Sequence, residues 1–374
     1  MKIKTITCHN VYNYGASLQA YALQHYLQNK GNDVEIIDYY PLYFHHYEWF
    51  HPNESGCLFK YAKQWPFLAP LIALIQHRCM WKQFPMKRAF DDFTKNYLRL
   101  TNMRYRSICD FKDNKPEADI FIAGSDQIWN TDMSNGLDPV FYLMFEPNRD
   151  KCISYAASFA INDIPNEYET FVKSGLGHLN SISIREKTGV ILAEKLGFEA
   201  TNVLDPVFLL SLEEWDKICV PINKKRPYLL LYDFQHNNPL IPQIAQSIAI
   251  ERGLDIVSIY TRSTYAQLNV MDAGPLEFIS WIKNADMVIA NSFHATSFSI
   301  IFNRDFYTLP LVGRKCSSRM QDLLASIGLS DRFITELHQV SVTKHIDYSN
   351  VIHKLHEKQQ ESRMWLLNAI SGNK

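Results

Sequence analysis

The sequence lacks the marks of several common chemistries. Glycine is scarce, 14 residues in 374. No G-x-G-x-x-G follows an apolar run, and Gly175-Leu-Gly177 stands before a strand pattern, the wrong order for a dinucleotide loop. G-x-x-x-x-G-K-[ST], H-E-x-x-H and D-x-D are all absent. A P-loop, a zincin-type hydrolase and a divalent ion held by paired aspartates therefore receive no support, and no metal and no cofactor is expected. The seven cysteines are never closer than 22 residues. That spacing removes C-x-x-C redox pairs and zinc ribbons, and an odd, scattered set reads as reduced thiols in a cytoplasmic protein. The longest apolar run, 67–75, is interrupted by Pro70 and falls short of the ~20 residues of a bilayer span. The first residues, MKIKTITCHNVYNYG, contain no apolar core of a signal peptide, so none is expected. Charge of one sign is missing too. Lys plus Arg total 38 and Asp plus Glu total 39, so nothing in the global charge draws the chain to nucleic acid.

What is present is an alternating α/β pattern. At ~150 residues per domain, the length predicts two large units. Strand-like apolar segments fall at 3–7, 34–38, 119–123, 151–155, 181–184 and 201–204, and then at 228–232, 255–260, 287–290 and 305–309. Helical spacing of Ala16, Ala20, Leu23 and Leu27 predicts a helix between the first two strands, and strand–helix–strand in so short a span implies a parallel sheet. Further helices are expected at 186–196, 241–252, 277–284, 297–302 and 351–369. The expectation is an α/β fold of two Rossmann-like halves, 1–212 and 226–345, followed by a terminal helix at 346–374. Pro221 and the Lys224-Lys225-Arg226 cluster make 212–226 the candidate linker. Residues 39–115 break the rhythm and read as a helical, aromatic-rich insertion, with eleven aromatics between Tyr39 and Phe67.

In open α/β sheets ligands sit beyond the carboxyl ends of the strands. Polar clusters stand just after the expected strands. His9-Asn10 with Asn13-Tyr14-Gly15 opens a helix, whose N-terminus favours an anion or a sugar hydroxyl, or is simply capped by Asn13. Gly124-Ser-Asp126-Gln127-Ile-Trp129 supplies a sharp turn, a proton acceptor and a face on which a sugar can stack. Tyr155-Ala-Ala-Ser158-Phe159 offers small groups for close approach. Arg185 leaves a strand beside Glu186 and can fork onto a carboxylate or phosphate, or pair locally. Asp205-Pro206 reads as structural. His294, in Asn291-Ser-Phe-His-Ala-Thr296, is placed as a proton shuttle. Arg314, Lys315 and Arg319 add positive charge near the same rim.

These clusters, in this order, resemble the polysaccharide pyruvyl transferase family. The matching stretches are NVYNYGASLQAYAL, AGSDQIWN, SYAASF, SIREKTG, LDPVFLL and ADMVIANSFHATSFSIIF, spanning 10–302. The resemblance implies a GT-B-like arrangement of the two halves, with the acceptor on the first and the donor on the second. It implies transfer of the enolpyruvyl-derived unit of phosphoenolpyruvate, as co-substrate, to a sugar as a pyruvate ketal, in capsule, exopolysaccharide or cell-wall glycan synthesis. The family's Arg in S-x-R-E matches Arg185, and its late His matches His294. Many members read Arg-Leu-His-Gly where this chain reads Ser292-Phe293-His294-Ala295, so a cation is missing that Arg314, Lys315 or Arg319 would have to replace.

On this footing His294 is the expected general acid and Asp126 the base toward the acceptor hydroxyl. Arg185, Ser292, Arg314, Lys315 and Arg319 are the expected donor-binding residues. Asn13, Tyr14, Gly15, Gln127, Trp129 and Ser158 are the expected acceptor-binding residues. Trp49, Phe50, Trp65, Phe67 and Trp81, set among Lys and Arg, resemble an interfacial surface, which would bring the 39–93 segment to the inner face of a membrane and to a polyprenyl-diphosphate-linked acceptor. Packing within a helical subdomain is the other use of those aromatics. Two other functions stay open: a metal-independent glycosyltransferase using a sugar nucleotide, and a non-catalytic glycan-binding relative.

Overall fold

The computed structural model describes residues 1–47, 58–76, 84–313 and 318–372. Two five-stranded parallel sheets organise it. The first contains β1 (Lys2–Ile6), β2 (Asp33–Tyr39), β3 (Leu100–Tyr105), β4 (Ile120–Ala123) and β5 (Cys152–Ser154), in the order β3-β2-β1-β4-β5. A short parallel pair, β6 (Ser183–Ile184) and β7 (Thr201–Asn202), continues beyond β5 through isolated bridges. The second sheet contains β8 (Tyr228–Tyr232), β9 (Asp255–Ile259), β10 (Leu268–Val270), β11 (Met287–Ala290) and β12 (Asp305–Thr308), in the order β10-β9-β8-β11-β12. The central strands β4, β8 and β11 are continuous apolar runs, buried along their whole length, as strands covered by helices on both faces require. These are two Rossmann-like halves with one strand order, set in a GT-B-like arrangement.

A single hydrophobic cluster runs through both halves, joining Ile3, Leu18 and Tyr21 of the first to Val257, Phe278 and Val288 of the second. Tyr14, in the first turn of the helix Tyr14–Asn29, is central to the join. Its ring stacks on Phe278 at 4.3 Å and on Phe90 at 5.1 Å, and its hydroxyl donates to the Ala273 carbonyl at 2.9 Å. The terminal helix Tyr348–Ser371 returns to the first half. There the Ser362 hydroxyl accepts from the Leu204 N–H at 2.9 Å, and Arg363 donates to the Leu209 carbonyl at 2.7 Å.

Two sequence expectations change. The 39–115 segment is not purely helical, because β3 lies within it and pairs with β2 as an edge strand. Its helix Phe84–Tyr97 is part of the shared core, burying Phe90 and Phe93. The linker begins as a helix, Leu212–Asp216, opened by a capping box between Ser211 and Glu214. It is pinned by the fully buried Trp215, whose indole N–H donates to the Val207 carbonyl at 2.9 Å. Among the described residues no helix is long and apolar enough to cross a membrane.

Candidate active site

In both sheets the chain changes its direction of growth between the first and fourth strands, at β1/β4 and at β8/β11, and the loops after these strands are where such folds hold ligands. The four loops face one another. Between them lies a cavity of about 220 Å³. The first half contributes Asn13, Asp126 and Gln127 to its lining, and the second contributes Ser292, His294 and Arg319. Phe44, Tyr232, Phe234 and Phe293 form apolar wall.

His294 sits in the first turn of the helix Phe293–Ile301, which starts four residues earlier than its apolar spacing suggests. Its ring is packed against Gly15 of the opposite half. A Cβ at Gly15 would lie 1.9 Å from His294 Nδ1, so only glycine leaves room for the imidazole there. His294 Nε2 lies 3.6 Å from Asp205 Oδ2. That carboxylate oxygen also accepts from Arg185 Nη1 at 2.6 Å and from the Ser125 hydroxyl at 2.9 Å, while Asp205 Oδ1 accepts from the Val207 N–H at 3.1 Å. Asp205 is fully buried. Burial alone would raise its pKa, but the His294 and Arg185 charges and hydrogen bonds outweigh that and hold it well below the ordinary carboxylate range. Burial works against the Arg185 charge, and Asp205, Asp126 and Glu186 more than restore it. A buried ion pair is tolerated only when its geometry and hydrogen bonds offset desolvation, and Asp205 has three donors.

Asp126 adopts a left-handed backbone, with φ 76°, which non-glycine residues rarely occupy. The strain is held by a bridge to Ala157, with the Ser158 N–H donating to the Asp126 carbonyl at 3.0 Å. This aims the Asp126 side chain into the cleft, 3.8 Å from Arg185 Nη2. Arg319 and Arg185 both lie over the Phe293 ring, at 5.7 and 4.5 Å. Ser292 is the N-cap of the His294 helix but makes no side-chain cap bond, and Ser292, Phe293 and His294 all line the cavity, so this helix N-terminus with its first N–H groups stands at the cavity wall.

The structure revises several expected positions. Trp129 is fully buried, stacked on Tyr142 and donating its indole N–H to the Phe141 carbonyl, so it presents no face to a ligand. Ser158 is buried too and donates to Glu186 Oε1 at 3.1 Å. Tyr14 belongs to the join between the halves, and Gly15 serves His294 rather than an acceptor. Arg185 is beneath the cavity floor, not on its lining. Asn13 combines both roles, lining the cavity and capping the first helix through Ala16 N–H. Arg314 and Lys315 lie outside the described residues, as do Trp49, Phe50 and Trp81.

Asp205 is the central residue that sequence reasoning set aside as structural. The signal was present: it follows a strand end as the other polar clusters do. Asp233, directly after β8, was also passed over; its Oδ1 accepts from the Asn291 side-chain amide at 2.6 Å and ties the β8 and β11 loops together. No group of three His, Cys, Asp or Glu among the described residues is arranged to hold a metal ion.

The sequence pattern of the family Polysaccharide pyruvyl transferase matches residues 13–310. The chain belongs to the polysaccharide pyruvyl transferase family. Curated proteins give no match. Among solved structures, a UDP-GlcNAc 2-epimerase from Neisseria meningitidis bound to UDP-GlcNAc is 9% identical, with 99% of this chain and 94% of that one covered and a TM-score of 0.48. The ADP-heptose lipopolysaccharide heptosyltransferase II of E. coli is 10% identical, with 97% and 100% covered and a TM-score of 0.37. These likenesses say nothing about what the pyruvyl transferase-family chain binds. Family membership makes it a transferase of polysaccharide biosynthesis, with a sugar acceptor as the natural partner.

Proposed function

We propose that this transferase moves the enolpyruvyl-derived unit of phosphoenolpyruvate onto two hydroxyls of a sugar, forming a pyruvate ketal. The observation that carries this reading is the meeting of His294, Asp126, Arg319 and a helix N-terminus in one cavity of a chain of this family. Phosphoenolpyruvate is highly anionic and needs several positive partners. Arg319 and the N-terminus of the Phe293–Ile301 helix receive its carboxylate and phosphate, with the Ser292 hydroxyl beside them.

His294 delivers a proton to the methylene carbon, which leaves C2 electron-poor. A sugar hydroxyl attacks C2 and passes its proton to Asp126. The C2–O bond to phosphate breaks as Asp126 hands its proton to the departing phosphate, and a second hydroxyl closes the ketal, giving its proton back to His294. The products are the ketal and inorganic phosphate, so atoms and charge balance. Asp205 and Arg185 do not touch the substrates. Behind the cavity wall they set a buried ion pair against the His294 ring, with Asp205 Oδ2 3.6 Å from its Nε2.

Thermal unfolding with and without phosphoenolpyruvate tests the donor. Ligand at 100 times its dissociation constant stabilises by ~2.7 kcal/mol. The expected result is a shift that Arg319→Ala removes, with phosphate released on adding acceptor. A shift with a sugar nucleotide and none with phosphoenolpyruvate would replace this proposal with glycosyl transfer.

A further inference from the structure

Charge in this chain is balanced overall but not locally. Between Glu54 and Asp91 there is no Asp or Glu, while Lys60, Lys63, Arg78, Lys82, Lys87 and Arg88 all fall there. The remainder of the chain is therefore net acidic. The same stretch concentrates exposed apolar side chains. Of the seventeen large hydrophobic residues exposed among the described residues, seven lie between Tyr61 and Phe84.

The geometry gathers them. The helix Ala69–Gln76 buries Ile72 and Ala73 and turns Leu71, Leu74 and Ile75 outward, three residues at the spacing of one helical face. Just before it, Trp65 and Phe67 meet edge to face at 6.0 Å, with Phe67 73% exposed and Trp65 49%. Lys60 and Lys63 are exposed on the preceding helix, Phe59–Gln64. A helix apolar on its outer face as well as its inner one is not suited to water.

From this we infer that residues 58–76 dock on an anionic lipid bilayer surface, with Trp65, Phe67, Leu71 and Ile75 entering the interface and Lys60 and Lys63 meeting headgroup charge. Trp and Lys beside aliphatic residues are the composition of an interfacial segment. A protein partner is the weaker match, because Lys is depleted in protein interfaces. A second copy of this chain is weaker still: two-fold pairing would set this acid-free face against itself, cation to cation. In sequence the segment lies between Phe44, which lines the cavity, and the helix Phe84–Tyr97, whose Phe90 packs on Tyr12. The inference is independent of the donor proposed above.

The experiment is flotation of the full chain with vesicles of phosphatidylcholine plus phosphatidylglycerol, and with phosphatidylcholine alone. No catalysis is needed. The expected result is flotation with the anionic vesicles that weakens as salt is raised. Phe67→Ser combined with Leu71→Ser abolishes it without moving the unfolding midpoint, because both side chains are exposed. Lys60→Gln combined with Lys63→Gln lowers binding roughly tenfold or more. Failure of the native chain to float, or equal flotation of the serine variant, overturns the inference. So does a native dimer that the serine variant converts to monomer, which would give the face to a second copy.

Discussion

In the second half each connection is compact: β8 leads to the helix Leu240–Arg252, and β11 passes through two residues into the helix of His294. In the first half the same strand order is stretched, with residues 40–99 between β2 and β3 and a long irregular passage between β4 and β5. The difference extends to chemistry. The elaborated half supplies the carboxylates, Asp126 and Asp205, while the compact half supplies His294 and Arg319. The proposed acid, His294, and the proposed base, Asp126, thus come to one cavity from different halves.

That division can be broken from either side. His294→Ala should cost the most, ~10²–10⁴-fold in turnover, as loss of a general acid does. Phosphate release measures it, and near-native turnover would place the acid in the first half. Asp205→Asn keeps the Val207 cap but leaves Arg185 buried without its nearest countercharge. We expect a loss of about 3–5 kcal/mol in denaturant unfolding. It should also flatten the acid sensitivity. The Asp205 pKa is depressed in the folded state, so its contribution is complete above the unfolded carboxylate value of ~3.9 and fades as pH falls below it. Asp38 fades in the same direction, down to about 2: burial would raise it, but the His9 hydrogen bond and charge outweigh burial, helped by Arg104 and Asn10. Unfolding compared at about pH 6 and about pH 3 reads both.

Gly15→Ala tests whether the halves meet through His294. Alanine favours the helix by up to ~1 kcal/mol, yet its Cβ must displace the imidazole. Turnover should fall by about 10–100-fold with the midpoint nearly unchanged, since misplacement by ~1 Å costs on that scale. Adding Gly15→Ala to His294→Ala should then cost little more. Tyr14→Phe should have the smallest effect: ~1 kcal/mol in stability from the unpaired Ala273 carbonyl, and unaltered turnover.

The central strands of both sheets were legible because each is an apolar run bounded by polar turns. β3 was not: LTNMRY lies at a sheet edge, half-exposed, and carries no buried-strand signature. The helix Asn166–Gly177 was hidden in the same way, since only Val172, Gly175 and Leu176 are buried. At the site, His294 and Asp126 were readable from their position after strands. Trp129 was misjudged because an aromatic after a polar turn looks available, and only the fold shows Phe141 and Tyr142 closing over it. Asp205 is structural as expected, but its capping and its charge pairing use different oxygens of one carboxylate. The sequence pattern before Pro206 reveals only the first.

Tyr14 carries a consequence for motion. Its ring belongs to the first helix of one half and rests on Phe278 of the other, with Phe90 stacked on it as well. Swinging the halves apart like jaws would unstack Tyr14 from Phe278 and wet two aromatic surfaces of about 150–250 Å² each. The two sheets should therefore melt in one calorimetric transition. On that expectation substrates would enter across the rim of the cavity, not through a gap opened between rigid bodies.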